Sequence, residues 1–341
     1  MNADWQTYLG ARGARIADGE VHGFGNPEDE LLAARDATIV APLAHLALTG
    51  VSGDDARTFL HNQLTSDVKH LEAGNAQYAA WCSPKGRMLA SFVLFRRDAD
   101  YLALLSADLC EFVRKRLQIY VLRSKVVIGD RSASHEILGV SGPQAASALQ
   151  NTGLEAPAAA MDVTASADAS VIRLDGQRHV VVVASGAATR IWQGLSAIAV
   201  PAGAPVWQWL DIAAGIPRIA EATREAFVPQ MADFDRIGGV SFHKGCYPGQ
   251  EVVARARYLG KVTRHLYRAR AARPIAAGTS VFPAATPDQP CGQIANAAPA
   301  PGGGFEALAV LLEDAAGKGE LRAAQGDDDG IELTGIVPVS G

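Results

Sequence analysis

Apolar and polar positions alternate along this chain with two different periods. Gln77 to Trp81 and Met88 to Phe95 are strand-like and flank the turn sequence Ser83-Pro84-Lys85-Gly86, which predicts a hairpin. Val171 to Leu174 and Val180 to Ala184 flank Asp175-Gly176-Gln177-Arg178 and predict a second one. Helical spacing runs over Ala107 to Gln118 and Ala188 to Ile198, and over Trp207 to Ala214 until Gly215-Ile216-Pro217 stops it. Pro201-Ala202-Gly203-Ala204-Pro205 reads as a tight connection. Beyond Gly260 the character changes. Short strands (Leu266 to Ala269, Ser280 to Phe282, Cys291 to Ala295, Ala307 to Leu312, Ile331 to Leu333) alternate with Pro/Gly-rich turns, the pattern of a small β-barrel. Pro299 to Gly304 and Gly326 to Gly330 read as loops, and Met1 to Glu30 as a partly mobile extension.

One stretch has an echo. Val51-Ser52-Gly53-Asp54-Asp55-Ala56-Arg57-Thr58-Phe59-Leu60 shares Val, Ser, Gly, Ala and Leu at the same offsets with Val140-Ser141-Gly142-Pro143-Gln144-Ala145-Ala146-Ser147-Ala148-Leu149. Each reads as a strand running into a helix. Ser52 and Ser141 are expected to cap the helices, Asp54 and Asp55 suit a positive helix end, and Pro143 suits a first turn. Two copies of one unit predict two related α+β halves. The expected division is an extension over 1–30, an α+β region over 31–258 and a barrel over 259–341.

The 341 residues suffice for two or three domains. No apolar run reaches the roughly 18–20 residues that cross a bilayer, and no leader pattern is visible, so a cytoplasmic protein is expected. Cys82, Cys110, Cys246 and Cys291 are widely spaced with no C-x-x-C pair, so no metal site is expected. The net charge of −5 opposes general nucleic-acid binding. Charge is nevertheless uneven. Phe112 to Gly129 carries only basic charges, and Lys244 to Arg270 carries seven basic residues against Glu251, which suits an anionic ligand or a specific partner.

The chemistry concentrates in Lys244-Gly245-Cys246-Tyr247-Pro248-Gly249-Gln250-Glu251. A short helix is predicted from Gly249, with Val252, Val253, Ala256 and Leu259 on one face and Gly260 as its stop. Cys246 then precedes a helix start and lies two residues from Lys244, both of which favour a thiolate. Gly245 and Gly249 let the backbone approach a ligand. The residues alone favour the plainer alternative, a glycine turn around a packed cysteine.

Lys244-Gly245-Cys246-Tyr247-x-Gly249-Gln250-Glu251 resembles the signature of the YgfZ family. These are folate-binding relatives of the glycine-cleavage T protein that support assembly or repair of certain iron–sulfur enzymes. Bacterial members are called tRNA-modifying because a tRNA-thiolating iron–sulfur enzyme depends on them. The neighbouring motifs follow the family order: Gly53-Asp54-x-Ala56, Gln63-Leu64-Thr65-x-Asp67-Val68, Lys85-Gly86-Arg87-Met88, Tyr120-x-x-x-Ser124-Lys125-Val126, Trp207-x-x-x-Asp211-Ile212, Phe227-Val228-Pro229-Gln230 and Gly238-Gly239-Val240. The resemblance covers Val40 to Arg268 and implies a ring of three subdomains around a folate channel, two α+β units and a C-terminal β-barrel. It implies tetrahydrofolate or a derivative as cofactor and iron–sulfur client proteins as partners; the apolar runs and the charge add the expectation of no membrane and no direct nucleic-acid contact. Cys246 becomes the functional thiol, with Lys244 its electrostatic partner or a folate contact. Tyr247, Gln250 and Glu251 shape the same wall, and Trp207 stacks on the folate. Lys85, Arg87 and Arg255 are the remaining contacts, for the glutamate tail. Family members often carry a second Trp in the strand before Gly53, where this chain has Leu46 or a neighbour.

Three alternatives accompany this reading, and one of them, a direct tRNA enzyme touching phosphate through Arg255 to Arg270, is opposed by the acidic net charge and the missing RNA-stacking motifs. An aminomethyltransferase of the T-protein kind needs carboxylates in the strand after the first hairpin turn. Here that stretch reads Arg87-Met88-Leu89-Ala90-Ser91, with Leu89 and Ala90 apolar, so the reaction is not expected. A folate-binding scaffold without turnover fits the same residues. His243, the histidine nearest Cys246 in sequence, is a poor general base on sequence grounds.

Overall fold

The computed structural model describes residues 1–258, 260–317, 319–324 and 330–339. Leu259 and most of the expected Gly326 to Gly330 loop lie outside the described residues. Two compact units emerge. The first comprises Met1–Phe59, Lys69–Gln77 and Phe92–Trp207, and the second Leu60–Val68, Tyr78–Ser91 and Gln208–Gly341. Among the described residues no helix is long and apolar enough to cross a membrane.

The chain begins α1 (Ala3–Gly10), β1 (Arg15–Ala17), β2 (Glu20–Gly23), α2 (Pro27–Asp36), β3 (Ile39–Pro42), β4 (Leu46–Ser52) and α3 (Ala56–Gln63). Met1 to Glu30, expected as a partly mobile extension, is built into the first unit. Asn2 caps α1 by accepting from the Trp5 N–H at 2.8 Å. Trp5 and Leu9, one helical turn apart, are buried with Val21 among Val140, Leu149, Ile191 and Trp192. The Trp5 and Trp192 rings meet edge-on at 5.8 Å. Glu30 is buried and accepts from the N–H groups of Phe24, Gly25 and Gly203. Its carboxylate thus satisfies three backbone donors that have no ladder partner.

The two halves follow. The first continues with β5 (Ala76–Cys82), β6 (Met88–Arg97), β7 (Asp100–Ser106), α4 (Cys110–Gln118) and β8 (Val127–Asp130). The second is β9 (His135–Ser141), α5 (Ala145–Asn151), β10 (Val163–Ala165), β11 (Ala169–Arg173), β12 (Arg178–Ala184), α6 (Ser185–Ser196) and β13 (Val200–Pro201). Their sheets have the orders β5-β6-β7-β4-β8 and β10-β11-β12-β9-β3-β13. Each is an antiparallel meander beside the strand that opens its half, so the echo is architectural. The match breaks at one edge of the sheets, where the second also carries β13 beyond β3. Where the first sheet places its own β8 beside β4, the second places β3, taken from upstream, beside β9.

The echo rests on glycine rather than on serine caps. Gly53 and Gly142 have φ of +107° and +126°. A Cβ at Gly53 would lie 2.1 Å from the Lys125 carbonyl oxygen, and one at Gly142 would lie 2.2 Å from that of Ala37. Only a residue without a side chain lets the strand turn into its helix so close to another backbone. Ser141 ends β9; the residue before α5 is Gln144, whose side chain makes no cap bond. Thr38 Oγ1 accepts the Gln144 N–H at 2.8 Å instead.

The last elements are α7 (Ala204–Ala213), α8 (Gln250–Tyr258), β14 (Arg264–Ala271), β15 (Ser280–Pro283), β16 (Gly292–Pro299), β17 (Phe305–Leu312), α9 (Glu313–Ala316), β18 (Leu321–Ala324) and β19 (Ile331–Pro338). The six strands close into a barrel in the order β14-β17-β16-β15-β18-β19. Tyr267, Ala269, Val281, Ile294, Ala309 and Leu311 fill it, and their alanines allow close strand approach. β18, Leu-Arg-Ala-Ala, lacks β-branched residues and carries no strand signal; pairing with β15 and β19 makes it one.

Candidate functional site

The segment Lys244–Glu251 lies in the second unit, and its shape follows from what holds it there. Thr65 is the first staple. Its Oγ1 donates to the Gly239 carbonyl at 2.6 Å and accepts the Ala80 N–H at 2.9 Å, while its carbonyl accepts the Ser241 N–H at 2.9 Å. The motif Gln63-Leu64-Thr65-x-Asp67 therefore fastens the approach to the cysteine onto β5.

Lys244 is the second. Its ammonium is buried, donates to the carbonyls of His61 and Leu64, and lies 4.8 Å from the centroid of the Tyr247 ring. Those carbonyls belong to the last turn of α3 and the residue after it, where a helix presents its negative end. The lysine expected to serve the thiol is thus engaged as an anchor, because a buried ammonium must be satisfied by acceptors. Tyr247 is buried too. Burial pushes its hydroxyl above the usual phenol range, and nearby Cys82 adds to this. Burial alone pushes the Cys82 thiol up to about 12.

Gly249 is the third. It has φ +81°, and a Cβ there would meet the Ser83 carbonyl oxygen at 2.4 Å and Gly86 Cα at 2.7 Å. The β5–β6 turn thus sits directly on the start of α8, which begins at Gln250. Gln230 Nε2 donates to the Val253 carbonyl at 2.7 Å and fixes the buried side of that helix. Val252, expected on the same apolar face, is more than a third exposed and borders Gly86.

Between these anchors Cys246 is exposed, whereas Cys82, Cys110 and Cys291 are buried. The structure brings Cys246, Lys244, Tyr247 and Gln250 together in one anchored segment. It sets Glu251 and Arg255 on the solvent face of α8 as an i,i+4 ion pair at 2.7 Å, with side chains 83% and 65% exposed. Lys85 is exposed on the hairpin turn. Arg87 is half-buried and donates to the carbonyls of Glu225 and Ala226.

Trp207 belongs to the first unit and presents no open face. It is 1% exposed, its ring occupies the space a Cβ on Gly139 would need (2.4 Å), and the Arg178 guanidinium lies 6.0 Å from its centroid. An indole packed over a glycine is a core residue; sequence spacing could not see Gly139 across the sheet. One pair escaped sequence reasoning altogether. His61 is buried, its Nδ1 lies 3.3 Å from Asp67 Oδ1, and its Nε2 would be 3.8 Å from a Cβ on Gly245. The only signal was Asp67 in the family motif, without its partner. The exposed His243 is nearer to Cys246 in sequence.

Two related α+β halves, a closed six-stranded barrel and a hairpin turn seated on a glycine-rich helix start make up a glycine-cleavage T-protein-like fold. The model of the GCVT N-terminal domain matches residues 22–164. The solved structure of glycine cleavage system aminomethyltransferase T from Bartonella henselae superposes with a TM-score of 0.74 at 17% identity, covering 96% of this chain and 94% of that one. Among curated proteins, the tRNA-modifying protein YgfZ of Klebsiella pneumoniae (strain 342) is 33% identical over 71% of this chain and 74% of its own length. That of Yersinia pseudotuberculosis serotype O:1b is 32% identical over 86% and 89%. The chain belongs to the YgfZ family.

Proposed function

We propose that this protein binds tetrahydrofolate or a derivative and acts as a cytoplasmic accessory factor for assembly or repair of iron–sulfur enzymes, supporting tRNA modification indirectly. The observation that carries the reading is the contrast at Cys246. It is the exposed thiol of the four cysteines, and it sits on a segment fastened by Thr65, Lys244 and Gly249. Such anchoring makes sense where a thiol must be presented in a fixed place. The name carried by the relatives, tRNA-modifying protein, agrees with this role.

Aminomethyl transfer has less support. Met88 to Ser91 on β6 carries no carboxylate, Leu89 and Ala90 are buried, and Ser91 Oγ accepts the Ile219 N–H at 2.9 Å. A neutral, packed stretch cannot orient charge on an amine. In this reading Tyr247 and Gln250 stand beside the thiol as the nearest ligand contacts, and Trp207 acts through packing. The test is complementation. Cys246→Ala is expected to fold, to bind tetrahydrofolate, and to fail to restore iron–sulfur enzyme activity in cells lacking the protein. Full restoration removes the thiol from the mechanism, and absence of tetrahydrofolate binding by the unaltered protein removes the cofactor.

A further inference from the structure

The second unit contains a cavity of about 240 Å³ on the outer wall of the barrel. Its floor follows from strand register. Ser280, Gln293 and Val310 lie side by side across β15, β16 and β17, because Ser280 pairs with Gln293 and Gln293 with Val310. Their chain neighbours Val281, Ile294, Ala309 and Leu311 point into the barrel, so this row faces outward. Phe227 and Met231 supply the opposite apolar wall.

Two arginines line this space, Arg87 and Arg264, and among the described residues no carboxylate does. Arg87 uses Nη1 on the carbonyls of Glu225 and Ala226; its Nε and Nη2 make no hydrogen bond with the described residues. Arg264, at the start of β14, is half-buried, and its side chain makes no hydrogen bond or ion pair with any described residue. Two cations facing one small space repel each other. An oxyanion relieves that repulsion and takes up the free N–H forks, a geometry guanidinium groups match in pairs. The Ser280 hydroxyl adds a donor, and Phe227, Met231 and Val310 suit an apolar ligand body.

We propose that this cavity is a binding site for a small organic dianion, a phosphate monoester or a dicarboxylate, held between Arg87 and Arg264. No residue of 244–251 lines the cavity, and the proposal assigns Arg87, expected from the family resemblance at the glutamate tail of a folate, to this site instead.

The full chain is titrated by calorimetry with inorganic phosphate and with glutarate, at fixed ionic strength in chloride. Saturable binding of at least one probe is expected, and the tighter probe identifies the head group. Arg264→Gln weakens that binding about tenfold or more. Arg264→Lys falls between, because it keeps the charge and loses the fork. Ser280→Asp, which adds a carboxylate to the floor, abolishes binding and serves as a second variant should Arg264→Gln fail to fold. Saturating 5-formyltetrahydrofolate leaves the isotherm unchanged. The proposal is overturned by no saturation with either probe up to about 10 mM, by undiminished affinity in folded Arg264→Gln or Ser280→Asp, or by displacement of the probe by the folate.

Discussion

The Lys244 ammonium lies over the ring of the buried Tyr247, 4.8 Å from its centroid, while it donates to the carbonyls of His61 and Leu64. One cation thus joins a helix end to the segment that carries Cys246. Removing the charge leaves two carbonyls without that donor and a ring without its cation. Lys244→Met, which keeps the apolar stem, is expected to lower stability by about 2–4 kcal/mol. Urea midpoints of the two proteins at equal m-value measure this, and an unchanged midpoint refutes the anchor.

Burial sorts the thiols. Cys82 is pushed up to about 12, and Cys110 and Cys291 are also held above the usual thiol range by burial. Native alkylation at neutral pH is therefore expected to modify Cys246 first, and the other three only after unfolding. Peptide mapping after timed iodoacetamide treatment reads the order. Labelling of Cys82 in step with Cys246 would contradict it.

The paired glycines make a prediction about the echo. Gly53→Ala and Gly142→Ala each place a methyl group against a carbonyl oxygen at positive φ. Each is expected to cost about 2–4 kcal/mol. Gly176→Ala is the control, since nothing lies within 4 Å of its added Cβ and its φ is not positive. Thermal melts that shift equally for all three would remove the structural meaning of the repeat.

The hairpin turn before β12 carries a pH dependence. Desolvation raises the Asp175 carboxyl, but the neighbouring Arg178 guanidinium outweighs it and holds the group below its ordinary value of 3.8. Arg178 Nε donates to Asp175 Oδ2 at 2.7 Å, and the arginine is buried although the aspartate is 41% exposed. A carboxyl depressed by folding adds stability above its unfolded value, which is lost as pH falls through the folded one. Asp175→Asn is expected to be less stable by about 1–2 kcal/mol near neutrality, discounted for exposure. The gap should close as pH falls below 3.8. A gap that stays constant with pH excludes the ion pair as its source.

Legibility varied with how local the cause was. Both hairpins, the helices α4, α6 and α7, and five of the six barrel strands follow from period and turn residues near in sequence. β18 did not, since its four residues are strand only because β15 and β19 flank them. The N-terminal region looked unstructured because Trp5, Leu9 and Val21 form no core by themselves. The thiol segment was visible as a motif, but its anchors Thr65, His61 and Leu64 lie about 180 residues upstream.

By itself the sequence determined the repeat, the barrel, the hairpin turn and the position of the distinctive cysteine, because each depends on residue spacing within one or two elements. Tertiary structure alone decided what the polar side chains do. It turned Lys244 toward the carbonyls of His61 and Leu64, packed Trp207 over Gly139, and left Arg264 facing a cavity with no acid among the described residues. The reason is physical. A hydrophobic period states which face a residue occupies, whereas a charge or an indole is assigned by the particular acceptors and surfaces that distant strands bring to it.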